Sequence, residues 1–303
     1  MAGTFAESYC SSNSTHYYPL AQQFPRTIYI FACAVSMILS ISSIFGNNMI
    51  LFALRKCQSL HSPSKALLCS LALTDLLVGL IVLPLFTAYY LMIILQMPGF
   101  YCVTAITYGR TSTFIAGVSL KTIATIAIDR YLAFHLRMRY RELVKLRQVV
   151  YILVIEWIAA AVWSGRLVLE RANHHVFWGI RVVQLLPHIL PLCCFSTYRN
   201  PRPHVAQIHQ QVNSSESTDF NVAQYKKTVN NMLWIYGLLL VCYMPHFTSL
   251  LAILVTGLNN SSPLELHFSA IAVFVNSSLN PILYCWKIKE IEETVIKIGR
   301  AHV

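Results

Sequence analysis

The stretch Phe114-Ile-Ala-Gly-Val-Ser-Leu-Lys-Thr-Ile-Ala-Thr-Ile-Ala-Ile-Asp-Arg-Tyr131 is almost entirely apolar until it ends in an acid and a base, Asp129 and Arg130. It belongs to a longer run, Val103 to Ala133, which supplies the roughly 20 mostly apolar residues that a helix needs to cross a bilayer. The charges begin where the apolar residues stop. The pattern therefore predicts a membrane-spanning helix with Asp129-Arg130-Tyr131 at one face of the membrane.

Uncharged runs of similar length recur along the whole chain. Of its 303 residues, 56% are hydrophobic and only 12% are charged, whereas soluble proteins have roughly 25% charged residues. The seven predicted spans are Thr27 to Leu54, Ala66 to Ile94, Val103 to Ala133, Val149 to Leu167, Phe177 to Tyr198, Thr228 to Val255 and Leu264 to Trp286. The sequence thus predicts an all-α membrane protein: a seven-helix bundle over residues 27–286, preceded by a tail (1–26) and followed by a short segment (287–303).

Positive charge is concentrated in alternate loops. The basic loops contain Arg55, Lys56 and Lys65, then Arg137 to Arg147, then Arg199 to Lys227, then Lys287 and Lys289. By the positive-inside rule these loops are cytosolic, which puts the N-terminus outside the cell and the C-terminus inside. The net charge of +11 is spread between spans, so it does not indicate a nucleic-acid binder. A multi-pass protein of the plasma membrane in contact with lipid is expected.

The loops and termini give further expectations. Asn13, Asn259 and Asn260 begin N-glycosylation motifs on the predicted outer side. Cys10 and Cys102 are the cysteines expected to be extracellular, where a bond between them could form. After Trp286, apolar residues alternate with Lys and Glu, which predicts an amphipathic helix on the cytosolic face.

The interior of the predicted bundle is marked by polar residues. A carboxylate in the middle of a membrane is costly, so Asp75 is expected to face the bundle interior and to meet a proton, a cation or hydrogen-bond donors. Pro245 and Pro281 interrupt the sixth and seventh spans and free backbone groups there. No metal-ligand spacing or nucleophile-base motif indicates an enzyme.

Taken in order, these residues resemble the rhodopsin-like G-protein-coupled receptors. The resemblance is carried by Gly46-Asn47, Leu71-Ala-Leu-Thr-Asp75, Asp129-Arg-Tyr131, Trp157, Pro245 and Asn280-Pro-Ile-Leu-Tyr284, each in a different span. The sequences of Arg130 to His135 and of Asn280 to Lys287 are similar to those of the melanocortin, adenosine and cannabinoid branch and of related receptors of simple animals.

The resemblance implies an activation switch and a heterotrimeric G protein as partner. In such receptors the arginine of the triplet, here Arg130, is held at rest by its neighbouring acid, here Asp129. On activation it extends toward the G protein, supported by tyrosines that match Tyr198 and Tyr284. Asn280 and Pro281 belong to the same switch. The simpler alternative is that Arg130 only anchors the helix at the membrane surface.

The resemblance also implies a sodium site in the bundle. It would be formed by Asp75, Ser119, Asn276, Ser277 and Asn280, whose carboxylate, hydroxyl and amide oxygens suit a hard cation. A bound ion would favour the inactive state, because a ligand shifts an equilibrium only by binding one state better. The alternative is a network of water molecules without an ion; no other cofactor is expected.

The ligand is less well defined. Ser112 stands where aminergic receptors carry an aspartate, and Phe274 stands where opsins carry the retinal-binding lysine, which argues against an amine and against retinal. By family position, the ligand pocket would be lined by Tyr89, Ser112, Thr113, Ala116, Tyr243, His246, Phe247 and His267. These residues suggest a moderately apolar cavity for a lipid, a nucleoside-like molecule or a short peptide.

The chain departs from the family at several positions. The usual disulfide to the second extracellular loop cannot form, because Gly165 to Ile180 contains no cysteine. Tyr225 replaces an acid that in many relatives restrains the triplet arginine, so ligand-independent signalling is expected. Tyr243 replaces a tryptophan, and Lys121 and Glu156 are unusual intramembrane charges. By family geometry these two are predicted to pair, the alternative being that each reaches water separately.

Three functions remain open at this point. The leading one is a receptor that converts binding of an extracellular ligand into G-protein activation. A non-coupling or decoy receptor is the first alternative, because the atypical fifth span contains Pro201 and Pro203 just beyond its end. A small-solute transporter or channel lined by Asp75, Lys121 and Glu156 is the second alternative.

Overall fold

Apolar helices of membrane-spanning length dominate the structure, a computed structural model. It describes residues 24–57, 61–136, 139–169, 222–256, 262–287 and 293–295, and these residues contain no β-strand. The helices are α1 (Arg26–Lys56), α2 (Ser62–Leu77), α3 (Leu83–Ile94), α4 (Pro98–Leu136), α5 (Tyr140–Leu143), α6 (Leu146–Leu169), α7 (Val222–Thr256) and α8 (Ser262–Lys287). A π-helical turn, Val78–Val82, joins α2 to α3, so the two form one continuous span.

The helices agree with most of the predicted spans. Five helices in the described part of the chain are long and apolar enough to cross a membrane: Arg26–Lys56, Ser62–Ile94, Pro98–Arg130, Leu146–Gly165 and Phe268–Trp286. A shorter apolar segment, Gly237–Ile253, lies within the predicted sixth span. The predicted fifth span, Phe177 to Tyr198, lies outside the described residues, as does most of the predicted amphipathic C-terminal helix.

The described helices pack side by side in a consistent order. Helix α1 packs against α2, α3 and α8; α4 packs against α2, α3 and α6; and α7 packs against α8. Because α8 contacts both α1 and α7, the chain returns at its end to the helix with which the bundle begins. Residues that are distant in sequence are therefore brought together in the interior.

Two apolar clusters are separated by a buried polar layer. The cluster at the end that carries Asp129, called the Asp129 end, includes Leu54, Leu67, Ile123 and Tyr284. The cluster at the opposite end, called the Tyr101 end, includes Tyr29, Phe86, Tyr90, Tyr101 and Phe274. Between them lie the buried polar residues Ser43, Asn47, Asp75, Ser119, Asn276, Ser277 and Asn280.

Glycine permits close approach of two helices to their neighbours. A Cβ atom added to Gly46 of α1 would lie 2.9 Å from Cγ of Pro281 in α8. A Cβ atom on Gly79, in the π-helical turn, would lie 3.1 Å from the backbone oxygen of Ser40 in α1. The close packing that the sequence predicts for Gly46 is therefore a contact between the first and last spans.

Candidate functional site

Asp129 is the centre of a buried network at its end of the bundle. Its side chain is 3% exposed, and its Oδ2 lies 3.6 Å from Nε of Arg130. The hydroxyl of Tyr140 in α5 donates to Oδ1 at 2.6 Å, and the hydroxyl of Ser64 in α2 donates to Oδ2 at 3.0 Å. The carboxylate is thus held by a cation and by two neutral donors from two other helices.

Tyr140 remains a donor over the whole neutral range. Burial, and next the hydrogen bond to Asp129, raise the pKa of Tyr140 to about 12. A phenol whose pKa is raised above its unfolded value of about 10 stabilises the folded state below that value, and this contribution is lost only as pH rises through the folded pKa. The ring of His61 packs against Tyr140 at a centroid distance of 5.2 Å. Tyr140 is therefore protonated, and able to donate to Asp129, at neutral pH.

Arg130 and Tyr284 are close to the core but do not bond to each other. The Arg130 side chain is 26% exposed, and its Nε makes no hydrogen bond within the described part of the chain. The Tyr284 hydroxyl is likewise buried without a hydrogen-bond partner there, while its ring belongs to the apolar cluster of the Asp129 end. Arg130 therefore lies beside Asp129, and the resting state of the switch stays a prediction.

A second polar centre surrounds Asp75 in the middle of the bundle. Asn280 of α8 donates from Nδ2 to Oδ2 of Asp75 at 2.7 Å, and Ser43 of α1 donates to the Asp75 backbone oxygen at 2.7 Å. Asn47 donates to the backbone oxygen of Ser277 at 3.1 Å. These bonds join α1, α2 and α8 through groups that are almost fully buried.

The Asp75 carboxylate is only partly satisfied. Ser277 lies close enough to interact with it, yet Oδ1 is buried and has no hydrogen-bond partner among the described residues. Ser119 and Asn276 are buried in the same polar layer. A carboxylate oxygen without a partner, beside hydroxyl and amide oxygens, fits the donor set that a hard cation requires.

A cavity of about 90 Å³ opens above this centre, toward the Tyr101 end. Five of the predicted pocket residues line it: Ser112, Thr113, Ala116, Tyr243 and His246. Ser119 and Ser277 of the polar layer also line it, and so does Phe274. None of the described residues around the cavity is charged.

His246 is held in place by the neighbouring span. Its Nδ1 lies 3.0 Å from the hydroxyl of Ser269 in α8. Ser269 also donates to the backbone oxygen of Leu266 at 2.8 Å, and the tautomer of the imidazole sets the direction of its bond with His246. The bond orients the imidazole at the wall of the cavity and links α7 to α8.

Two predicted pocket residues, Tyr89 and Phe247, do not line this cavity. Tyr89 is buried in the aromatic cluster of the Tyr101 end, where its hydroxyl lies 3.2 Å from that of Tyr101. Its ring packs against Tyr90 and Tyr108. The described structure therefore places Tyr89 in the packing above the cavity.

Known proteins are similar to this chain in sequence. A family model described as "7 transmembrane receptor (rhodopsin family)" matches residues 46–177, which include Asp75 and the Asp129-Arg130 pair. This match supports a receptor of the rhodopsin-like (class A) G-protein-coupled family. The matched family consists of receptors and not of enzymes, in agreement with the sequence prediction.

Individual relatives agree with the family. The histamine H2 receptor of Canis lupus familiaris is 27% identical over 281 residues, which cover 84% of this receptor and 75% of the relative. The histamine H2 receptor of Homo sapiens is 26% identical over the same length. The adenosine receptor A3 of Canis lupus familiaris is 24% identical over 301 residues, covering 89% of this receptor and 90% of the relative.

Several predicted functional residues of the receptor lie outside the described structure. These are Tyr198, the glycosylation candidates Asn13, Asn259 and Asn260, Cys10, and the side chains of Tyr131, Tyr225 and His267. Cys102 near the start of α4 is disulfide-bonded. The five described free cysteines do not include its partner, so the predicted pairing with Cys10 stays a prediction.

Lys121 and Glu156 do not form the predicted ion pair. Within the described residues, Glu156 of α6 instead accepts a hydrogen bond from Thr125 of α4, at 2.5 Å to Oε1. Its Oε2 is buried without a partner there. Thr125 lies one helical turn beyond Lys121 on α4, so a short hydroxyl at that position reaches Glu156 where the longer lysine was expected to do so.

Sequence reasoning missed three of the functional neighbours. Ser64, Tyr140 and Thr125 all bind the carboxylates that the sequence singled out. A signal was present for Tyr140, an aromatic residue in a loop otherwise rich in arginine. Ser64 and Thr125 carry no local signal, because hydroxyl side chains in spans most often bond to their own helix.

Proposed function

We propose that the receptor converts the binding of an extracellular ligand into nucleotide exchange on a heterotrimeric G protein. The observation that carries the proposal is the Asp129 network, which holds Arg130 beside a buried carboxylate at the end predicted to face the cytosol. We call these contacts of Arg130, Asp129, Tyr140 and Ser64 the latch. Such a restraint is needed only if Arg130 has a second position. The cavity lies at the other side of the polar layer, where a ligand could bias that equilibrium.

The described side chains suggest how the latch opens. Arg130 is restrained by Asp129, and Asp129 is restrained by Tyr140 and Ser64, so its release requires α4 to move relative to α2 and α5. The buried hydroxyl of Tyr284 has no hydrogen-bond partner among the described residues, and pairing this group in the active state would favour that state. A ligand that contacts α4, α7 and α8 in the cavity shifts the equilibrium if it binds the released state better.

The test is nucleotide exchange by purified receptor and G-protein heterotrimers of each class, with candidate ligands added. Arg130→Ala is expected to abolish ligand-stimulated exchange. Arg26→Ala provides the matched control, because Arg26 is an exposed arginine at the opposite end of the bundle. Stimulation that survives Arg130→Ala would exclude the mechanism, and ligand binding without exchange by any G protein would favour the non-coupling alternative.

Adenosine is the first ligand to test, with histamine as comparison. Both are suggested by the names of the relatives, and a nucleoside-like ligand agrees with the sequence prediction. Ser112 supplies a hydroxyl at the cavity where a protonated amine would need an acid, and no described lining residue is charged. We therefore expect Ser112→Asp to weaken stimulation by adenosine and to strengthen stimulation by histamine. Stimulation of the wild type by histamine alone would reverse this order.

We also propose that Asp75 holds a sodium ion together with Ser119, Ser277, Asn276 and Asn280. The support is the unpartnered Oδ1 of Asp75 within a set of oxygen-bearing side chains. The ion would supply positive charge to the buried carboxylate in the inactive receptor. Sodium chloride should raise the melting temperature over an equal concentration of choline chloride, and Asp75→Asn should remove the difference; equal melting temperatures in the wild type would exclude the ion.

The same proposal places the receptor in the plasma membrane with Asn13 and the Tyr101 end outside. An epitope tag before Asn13 should be accessible on intact cells, and a tag after Val303 only after permeabilisation. Asn13→Gln should lose a glycan, and Cys10→Ser should lose one disulfide, both measured by mass spectrometry. These two results would support the predicted extracellular tail. Access of antibody to the C-terminal tag on intact cells would reverse the orientation.

A further inference from the structure

At the Tyr101 end, α3 and α4 form a hairpin without charged side chains. The chain contains no Asp, Glu, Lys or Arg from Leu76 to Gly109. Only residues 95–97 separate the two helices, and backbone hydrogen bonds close this turn. Across the hairpin the rings of Tyr89 and Tyr101 pack with their centroids 5.2 Å apart. The two helix ends are therefore fixed to each other.

Large apolar side chains are exposed on the outside of this hairpin. Leu91 and Leu95 follow one another by one turn at the end of α3, and Phe100 and Val103 do so near the start of α4. All four are exposed, Phe100 most of all at 61%, and so is Met97 in the turn. We call these five residues the tip patch. Exposed apolar surface of this kind indicates contact with lipid or with protein.

The charged residues of α4 place the tip patch beyond the lipid. Arg130 marks the predicted cytosolic face, and Arg110 is exposed on the same helix. At about 1.5 Å per residue the two are about 30 Å apart along α4, the thickness of the hydrocarbon core being roughly 30 Å as well. Phe100 is about 15 Å further out, whereas the headgroup layer is only roughly 5–8 Å thick. Even a helix tilt of about 40° leaves about 11 Å, so the tip patch needs a cover other than lipid.

A disulfide joins a second segment of the chain to this hairpin. Cys102 is disulfide-bonded, and it lies within the stretch of α4 that carries the tip patch. Of the nine cysteines of the chain, five others are reduced thiols within the described structure, which leaves Cys10, Cys193 and Cys194. The last two are near the predicted cytosolic end of the fifth span. The predicted topology therefore allows Cys10 as the partner.

The tail before α1 is long enough to make this connection. Tyr29 near the start of α1 packs against Tyr90 of α3 with the ring centroids 5.6 Å apart, so the tail joins the bundle beside the hairpin. The residues between Cys10 and Arg26 span up to about 50 Å when extended. This length is sufficient to bring Cys10 to Cys102.

The segment before Cys10 supplies apolar side chains for the patch. Phe5 and Tyr9 are its aromatic residues, and Glu7 is its only charged side chain. Along the chain Tyr9 is about 3.8 Å from the attachment point, and Phe5 is within about 17 Å of it. Aromatic side chains bury a large apolar area, so these two suit a patch that carries no charge.

We propose that residues 1–10 of the tail, attached by a Cys10–Cys102 disulfide, cover the tip patch with Phe5 and Tyr9. Forming the disulfide removes two electrons and two protons from the thiols, and a protein disulfide of the secretory pathway accepts them by exchange. The tail thereby replaces the family's usual link to the second extracellular loop, which cannot form here. It is fixed beside the cavity, because Tyr108 of the same hairpin lines that cavity.

The first test is the disulfide itself. The thiols of the purified full-length receptor are blocked, the protein is digested without reduction, and the peptides are identified by mass spectrometry. One linked pair that contains Cys10 and Cys102 is expected, and reduction should separate it. A Cys102 that is linked to another cysteine, or that is found as a thiol, would overturn the attachment.

The second test identifies what covers the patch. Phe100 is replaced by its photoreactive analogue p-benzoyl-phenylalanine, which keeps the aromatic ring and bonds to a neighbouring group when membranes are illuminated. Adducts with tail peptides that contain Phe5 or Tyr9 are expected, in a receptor that runs as a monomer on a denaturing gel. Adducts with lipid alone, or with a second copy of the chain in a dimer band, would overturn the proposal.

The matched control is the same replacement at Phe45. Phe45 is an exposed phenylalanine of α1 inside the first predicted span, where lipid is the expected neighbour. It should give lipid adducts and no tail adducts. Tail adducts at equal yield from Phe45 and Phe100 would show contact without specificity and would overturn the docking site.

The third test measures the contact without a probe. Phe5→Ser combined with Tyr9→Ser should lower the melting temperature of the purified receptor by on the order of 2–4 °C. The same tail change should have little effect when Phe100→Ser is already present, and equal losses in both backgrounds would overturn the contact. The inference uses the proposed outer position of the Tyr101 end, which the epitope tags test separately. It does not depend on ligand or G protein, so the proposed signalling could fail without changing these results.

Discussion

At the residue scale, the proposed mechanism depends on the side chain of Asp129. The sequence predicts that Asp129 restrains Arg130, and the structure adds that Tyr140 and Ser64 restrain Asp129. Arg130 is partly exposed, so its ion pair alone is screened by solvent and contributes little. The two buried hydrogen bonds fix the carboxylate and thereby set how readily Arg130 leaves it.

Tyr140→Phe is expected to increase basal nucleotide exchange several-fold. The substitution removes the 2.6 Å hydrogen bond to Asp129, and hydrogen bonds to charged groups contribute about 1.5–3 kcal/mol. Exchange without ligand is measured at matched receptor density, and Arg130→Ala added to Tyr140→Phe should abolish the increase. Unchanged basal exchange would mean that Tyr140 stabilises the loop but not the latch.

Ser64→Ala should also increase basal nucleotide exchange, but by less than Tyr140→Phe. Its bond to Oδ2 of Asp129 is longer, at 3.0 Å, and Arg130 also approaches that oxygen. The order Tyr140→Phe above Ser64→Ala above wild type is expected in the same exchange assay. An increase confined to Ser64→Ala would show that the contact with α2 carries the restraint.

At the element scale, α1 and α8 pack closely where Gly46 contacts Pro281. Gly46→Ala should cost roughly 1–3 kcal/mol of stability, because the added methyl group has no space. Gly237→Ala is the matched control: a Cβ on Gly237 meets nothing within 4 Å, and alanine is the better helix former. Thermal unfolding should show a lower melting temperature for the first variant and an equal or higher one for the second.

The contact between α4 and α6 depends on a hydrogen bond and not on an ion pair. Thr125→Val should therefore destabilise the receptor by about 0.6–1.7 kcal/mol, the range for hydrogen bonds between membrane helices, because Glu156 loses its donor. Thr125→Ser keeps the donor and should lose less. A greater loss in Lys121→Met than in Thr125→Val would restore the predicted pairing of Lys121 with Glu156.

At the scale of the whole molecule, we expect measurable signalling without ligand. Tyr225 lies in α7 at a position where many relatives place an acid that restrains the triplet arginine, and the described contacts of the latch come from α2, α4 and α5. Basal exchange should exceed that of membranes lacking the receptor and should fall to their level in Arg130→Ala. Equal exchange in the two membranes, at confirmed surface expression, would contradict this.

The sequence predicts the helices well because a helix that crosses the bilayer must be long and mostly apolar. Length and hydropathy locate α1, α4, α6 and α8 to within a few residues, and family motifs indicate which polar residues face inward. The π-helical turn at Val78–Val82 was not predicted, since no residue type specifies it. Its cause is tertiary: Gly79 packs on α1, and Ser40 donates to its backbone oxygen at 2.7 Å.

The candidate sites were predictable only in part. Motifs identified Asp75, Asp129, Arg130 and Asn280, because their chemistry is unusual in a membrane. Their partners were not identified, since a hydroxyl such as that of Thr125 gains its role from a neighbouring helix and not from its own segment. Family position likewise assigned Tyr89 to the ligand pocket, whereas the structure packs it with other tyrosines.

The π-helical turn also matters for how receptors of this kind are aligned and how they diverge. One extra residue in a turn rotates everything beyond it by about 100°, here the segment that buries Phe86 and Tyr90 while Leu91 faces outward. Deleting one residue between Val78 and Val82 would turn these rings toward lipid and bring other side chains above the cavity. A single-residue length change at this position thus gives a route to new ligand preference that leaves every residue around Asp75 untouched.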